Sequence, residues 1–320
     1  MAIALKMKAP VKAPILEEPL MESPYSRYND GTQSAPRLRV GYSLWSLTRL
    51  PMNAGFDGIA EWTLDEKFAR VKAAGFEHIE ATLNDANERE ITEALQRHGL
   101  SLVMKLALDT KKRPFPLEGI GEIVARAVRA RADYLWIQPA DAFAPLDDVV
   151  ELVVESRKVA HDHGLPLFVE VHRNNFTETI PQTLQLIDRV PEIRFTADLS
   201  HFVVVGEFYG WEDEGALEKM RPVIERTAHL HGRISNGEQV QVDVGDGSGE
   251  TAQFFVSLWG EAMRCWLKNA RPGDVFPFAS ELGPPRYAIT LPDGREFSDR
   301  WEQSLIMKKL AEQAWAQACS

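Results

Sequence analysis

Cysteine is nearly absent from this chain of 320 residues: Cys265 sits inside a helical pattern and Cys319 beside the C-terminus, too few and too badly placed for a disulfide framework. A reducing, cytoplasmic compartment is the expectation. Long hydrophobic runs are also missing, so no stretch reads as a membrane span, and residues 1–36 lack the apolar core and cleavage site of a signal peptide. Positive charge is scarce: 36 Lys and Arg stand against 47 Asp and Glu, a formal net charge of −11, with no dense basic block. That balance disfavours nucleic acid and anionic membranes as partners. A small uncharged or metal-chelating molecule fits better. No glycine-rich loop of recognisable phosphate-binding pattern occurs.

What is present is a chain 44% hydrophobic, long enough for one large barrel or two smaller domains. Residues 1–36 hold several prolines and Ser/Thr/Asn/Gly clusters without a sustained period, and are expected to be an extended or disordered arm. From 37 to 320, strand-like runs alternate with helical ones: 38–45, 76–83, 101–106, 134–138, 167–171, 193–198, 227–233 and 275–281. Eight alternations predict an α/β fold of one domain, the (β/α)8 TIM barrel. Glycine after a helix and before a strand, in Ala-Gly-Phe at 74–76 and His-Gly-Leu at 98–100 and 163–165, fixes the phase. Two stretches exceed a minimal barrel, a Gly/Asp-rich segment at 235–249 and a hairpin at 287–297 turning on Asp293-Gly294. Both follow late strands and are expected on the rim.

Four short clusters carry the chemistry, each ending an apolar run: Glu170-Val-His172-Arg173, Asp198-Leu-Ser-His201, His229-Leu-His231-Gly-Arg233 and Glu281-Leu-Gly-Pro-Pro. In a parallel barrel such ends meet on the face that carries the active site. Glu170, Asp198, His231 and Glu281 offer three hard oxygen donors and one borderline nitrogen, a set suited to one divalent ion: manganese first, with magnesium, cobalt or iron as alternatives. A sugar chelating that ion through its carbonyl and adjacent hydroxyl would have its carbonyl polarised, so that a nearby Glu could remove the neighbouring carbon-bound proton. Glu170 and Glu281 on opposite faces of a planar enediolate would epimerise; one shared face would isomerise. His201, expected in the loop past Asp198, is suited to hydrogen-bond a substrate oxygen. Arg233, on the side of His231, is suited to clamp a hydroxyl or phosphate, and His172, on the side of Glu170, to touch substrate.

Competing readings stay open at several positions. His229 and His231 face one side of a strand, and only depth separates them; His231 lies nearer the strand's end and is taken as the ligand. Glu80 reads better as a polar rim residue than as part of the pocket. Trp45, Trp136 and Trp259 suit either core packing or the walls of a sugar site. Asn236-Gly237 reads as a turn.

With Ala-Gly-Phe-Glu-His-Ile-Glu at 74–80, Glu170-Val-His-Arg, Asp198-Leu-Ser-His201, His229-Leu-His231 and a last strand-end Glu281, the chain resembles the xylose isomerase-like barrel superfamily over about Val40 to Ala314. The resemblance implies one divalent ion on Glu170, Asp198, His231 and Glu281, acid–base roles for the two glutamates, and substrate contacts for His201 and Arg233. It departs after the metal histidine, where ketose epimerases usually carry a short acidic motif and this chain has Gly232-Arg233-Ile-Ser-Asn236. The expected activity is a metal-dependent sugar isomerase or epimerase acting on a sugar or keto-sugar, as a homo-oligomer. The alternative is a lyase that cleaves 3-keto-glycosides by the same enolisation. An abasic-site endonuclease is opposed by the acidic balance, and a non-catalytic barrel by acids and metal ligands gathered at four strand ends.

Overall fold

The computed structural model describes residues 25–213 and 215–320. Eight parallel strands close on themselves: β2 (Arg37–Ser43), β3 (His78–Ala81), β4 (Ser101–Lys105), β5 (Ala132–Ile137), β6 (Leu167–Val171), β7 (Phe195–Ala197), β8 (Thr227–Gly232) and β9 (Asp274–Ser280). β9 pairs with both β8 and β2, which leaves no open edge between them. The expected (β/α)8 barrel is therefore present. Of the expected arm, residues 1–24 lie outside the described part. Residues 25–36 lie against the barrel, where a two-residue strand, β1 (Tyr28–Asn29), pairs antiparallel with β9.

Around the strands run α1 (Leu64–Ala73), α2 (Glu88–His98), α3 (Ile120–Arg129), α4 (Leu146–Asp162), α5 (Ile180–Arg189), α6 (Leu199–Val205), α7 (Ala216–Ile224), α8 (Glu250–Leu267) and α9 (Arg300–Cys319). None of them is long and apolar enough to cross a membrane. Local chemistry sets their ends. Thr63 and Glu66 form a capping box at the start of α1, and Gly75, Gly99 and Gly164 all take positive φ at the helix-to-strand junctions, as their sequence position required.

The main core lies between strands and helices, with Tyr42, Ile79, Leu102, Leu135, Val169 and Leu230 pointing outward from the sheet. The opposite faces fill the barrel itself. There the apolar content is a small cluster of Val103, Tyr134, Trp136, Phe168 and Ala228, with Tyr28 packed against it. Among the other inward positions, His78, Glu80, Glu170, Thr196, His229 and His231 are polar or ionisable and buried. A barrel interior is normally filled by branched aliphatics, so this polarity marks where the chain departs from pure packing.

Past β9, the expected hairpin forms through a single antiparallel bridge, Thr290 to Glu296, with the Leu291 N–H donating to the Arg295 carbonyl and Gly294 at positive φ. Arg300 of α9, fully buried, pairs with Glu296 and donates to the carbonyls of Ser46 and Thr48. One guanidinium thus ties the hairpin and the β2–α1 connection to the same rim.

Candidate functional site

The strand ends converge on His231. Its Nδ1 lies 2.9 Å from Glu170 Oε1 and 3.1 Å from Glu281 Oε2, and its Nε2 lies 2.9 Å from Glu80 Oε2. β6, β9 and β3 each bring one carboxylate to the imidazole carried by β8. Burial disfavours a charged His231, but Glu281, Glu80 and Glu170 outweigh it and hold the imidazole well above its ordinary pKa. His231, not His229, is thus the histidine at the level of the acids. His229 lies one layer deeper, 2.9 Å from Glu80 Oε1, where burial pushes it down to about 4.

Glu170 Oε1, His231 Nδ1 and a Glu281 carboxylate oxygen fall within 4.8 Å of one another, and Glu170 Oε2 is buried without a hydrogen-bond partner. Two hard oxygens, one imidazole nitrogen and a spare buried lone pair fit a divalent cation. Asp198 stands beside this trio rather than within it. Its Oδ1 caps α6 by accepting from the Ser200 N–H, and its Oδ2 faces His201 Nε2 at 3.4 Å and Arg233 Nη1 at 3.5 Å. Burial opposes its ionisation, yet Arg233, His201 and Ser200 prevail and keep it far below the usual carboxylate range.

Arg233 joins the two groups. Its guanidinium, 1% exposed, donates to the Glu281 carbonyl, lies 2.9 Å from Glu281 Oε2, and reaches Asp198 and His201 on its other side. His201 does not lie in a loop, as its spacing suggested. It occupies the first turn of α6, because Asp198 caps a helix that begins directly after β7. The His172 and His201 rings pack at 46° to each other with centroids 4.0 Å apart, and His172 shares a hydrogen bond with the Tyr287 hydroxyl at 3.0 Å. Burial, with the neighbouring His201, pushes His172 down to about 3. Arg173 packs on the Tyr287 ring.

Beside these groups lies a cavity of about 340 Å³, a volume suited to a small molecule. Glu80, His172, Arg233 and Glu281 line it together with Ser43, Trp45, Lys105, Trp136, Gln138 and Tyr287. Four of these, Ser43, Lys105, Gln138 and Tyr287, were not legible as site residues. Lys105 and Gln138 end β4 and β5 and are bonded to each other at 2.7 Å; Tyr287 arrives from the hairpin loop. Each is a lone residue without a motif, and only its position at the end of a strand or on a rim insertion marked it. Glu80 corrects the rim reading: β3 stops at Ala81, so Glu80 lies inside the barrel, 2% exposed. Trp45 and Trp136 are walls of the cavity, whereas Trp259 packs in the outer core against Phe278. Asn236 closes a local turn by accepting from the Glu238 and Gln239 N–H groups.

Comparison with known proteins places the fold. No curated protein matches the sequence. Among solved structures, a D-allulose 3-epimerase from Methylomonas sp. in complex with D-allulose superposes with a TM-score of 0.54 at 17% identity, covering 88% of this chain and 99% of the other. A xylose isomerase-like TIM barrel protein from Mycobacterium smegmatis in complex with magnesium gives 0.54 at 14%, over 87% and 98%. A 3-keto-D-glucoside 4-epimerase from E. coli gives 0.51 at 14%, over 86% and 99%. At these identities the likeness is one of fold. The family model for the xylose isomerase-like TIM barrel matches residues 68–254, more than half of the chain and the stretch that carries Glu80, Glu170, Asp198 and His231, and the protein belongs to that family.

Proposed function

We propose that this protein is a divalent-metal-dependent sugar isomerase or epimerase that moves a proton on a carbon next to a carbonyl, with Glu170 and Glu281 as its acid and base. The observation that carries this reading is the pair itself. Two buried glutamates from different strands reach one imidazole nitrogen, at 2.9 and 3.1 Å, and one of them, Glu281, lines a cavity of about 340 Å³. Carboxylates held that way can take and return a carbon-bound proton across a planar substrate.

Glu170, His231 and Glu281 would hold the ion, with Asp198 joining them if Arg233 moves aside; manganese is the first expectation. When bound, the ion would polarise the carbonyl and offset the charge that develops on enolisation. The other residues position and seal. Arg233 donates its guanidinium protons towards substrate hydroxyls, His172 lines the cavity backed by His201 and tied to the Tyr287 hydroxyl, and Trp45 and Trp136 exclude water. The D-allulose and 3-keto-D-glucoside activities of the structural neighbours set the substrate classes to try first, free ketoses and 3-keto-sugars.

Lys105 favours a second reading, a lyase acting on 3-keto-glycosides. An ammonium lines the cavity and packs over Trp136. A Glu would take the proton beside the ketone, the electron pair would form the carbon–carbon double bond, the bond to the aglycone oxygen would break, and Lys105 would protonate that oxygen. The test is incubation of the manganese-loaded protein with free ketoses, sugar phosphates and 3-keto-glycosides, with products read by NMR. An epimer or isomer supports the primary reading and released aglycone the second. No product from any class would count against both.

A further inference from the structure

We propose that His78, Glu80 and His229 bind a second cation, of the zinc, cobalt or iron class, inside the barrel beneath the first site. The three residues are buried to 0%, 2% and 0% exposure, and their ligand atoms lie within 4.8 Å of one another. Glu80 Oε1 is 2.9 Å from His229 Nε2 and 3.9 Å from His78 Nε2.

The hydrogen-bond state of these atoms is what points to an ion. His78 Nδ1 and Nε2, Glu80 Oε1, His229 Nε2 and the adjacent Tyr134 hydroxyl are all buried without a hydrogen-bond partner. An unsatisfied buried polar atom costs about 1–3 kcal/mol, and native proteins satisfy such groups with water or ions. Five such atoms lie inside the barrel, contributed by β3, β5 and β8. Glu80 Oε1 and His229 Nε2 approach to 2.9 Å yet are not aligned as donor and acceptor. Two ligands bonded at about 2.1 Å to one tetrahedral ion stand about 3.4 Å apart, so a small outward movement of either group would seat an ion between them.

The surroundings hold the ligands in place. His229 Nδ1 is fixed by Thr196 Oγ1 at 3.0 Å, which leaves Nε2 to face Glu80, the outer partner that metal-ligating histidines usually have. Gly41 makes room for the other imidazole, since a Cβ there would lie 2.1 Å from His78 Nε2. Glu80 divides its oxygens, Oε2 to His231 above and Oε1 to the deeper pair, and it also lines the cavity, so the entry route runs through the substrate pocket. Two imidazoles and one carboxylate form a borderline set that favours zinc, cobalt or iron(II) over magnesium or calcium.

The test does not depend on catalysis. Full-length protein is loaded with excess Co²⁺ or Zn²⁺ and desalted, and metal per chain is counted by mass spectrometry. Wild type is expected to hold two equivalents, and His78→Leu one. Glu170→Gln is expected to retain the deep ion. In crystals of the cobalt-loaded wild type, an anomalous peak is expected between His78, Glu80 and His229, a readout that stands even if His78→Leu fails to fold. An equivalent count unchanged by His78→Leu, or ordinary water density and no anomalous signal at that point, would overturn the proposal, whatever the enzyme proves to catalyse.

Discussion

Arg233 sets this site apart from a simple cage of metal ligands. A guanidinium with Glu281 Oε2 at 2.9 Å and Asp198 Oδ2 at 3.5 Å places a permanent positive charge among the carboxylates that would otherwise attract the ion. Unit charges about 4 Å apart interact by about 4 kcal/mol at an effective dielectric constant of 20. Arg233→Ala should therefore tighten divalent-metal binding at least about tenfold while lowering turnover at least about a hundredfold, because Asp198 is released to the ion and the substrate clamp is lost. Metal titration and turnover measured on one variant check this; a loss of both would contradict it. The four acid and imidazole clusters were legible because each ends an apolar run, and period-two alternation put Arg233 on the side of His231. Glu80 was misjudged because strand length, not spacing, decides whether a residue lies at the rim or inside. Asp198 was legible as a site acid, but its cap on α6 and its pairing with Arg233 depend on where a helix begins.

At the scale of elements, the wall of the cavity rests on a close approach in the connection that follows β9. A Cβ at Gly283 would lie 2.3 Å from the Trp45 ring and 2.7 Å from Tyr287 Cβ, so only glycine lets the connection pass between them. Trp45 and Tyr287 meet edge to face, and Tyr287 in turn holds His172. Gly283→Ala should push these rings apart, raising KM at least about tenfold with a smaller change in kcat. Steady-state kinetics on folded variant would show it, and an unchanged KM would mean that the wall does not touch substrate. The eight strands and the glycine-marked junctions were readable because burial and helix-end geometry are local in sequence. The pairing of the hairpin with Arg300, and of Lys105 with Gln138, brings together residues from separate elements, and one sequence carries no trace of such distances.

For the whole molecule, the four imidazoles that burial pushes down, set against the raised His231, predict how stability responds to acid. Burial pushes His78 down, and His161, His172 and His229 to about 4, 3 and 4. Unfolded, each would take a proton near pH 6.5, so below that value the unfolded chain binds more protons than the folded one. The stability they contribute is complete above about pH 6.5 and is lost as pH falls towards the folded values. The melting temperature of the metal-free protein should drop from pH 7 to pH 5. His161 stacks on Tyr25 away from the cavity, and His161→Phe, which keeps the ring, should shallow that slope; a flat profile in wild type would contradict the assignment. The claim that binds fold and site together is proton transfer by paired glutamates. Its most direct test is deuterium incorporation at carbon, followed by NMR in deuterated water with ketoses and 3-keto-glycosides, with and without added manganese. The account predicts exchange that requires the metal and disappears in both Glu170→Gln and Glu281→Gln while each variant stays folded; product formed without exchange, or exchange untouched by either substitution, would contradict it.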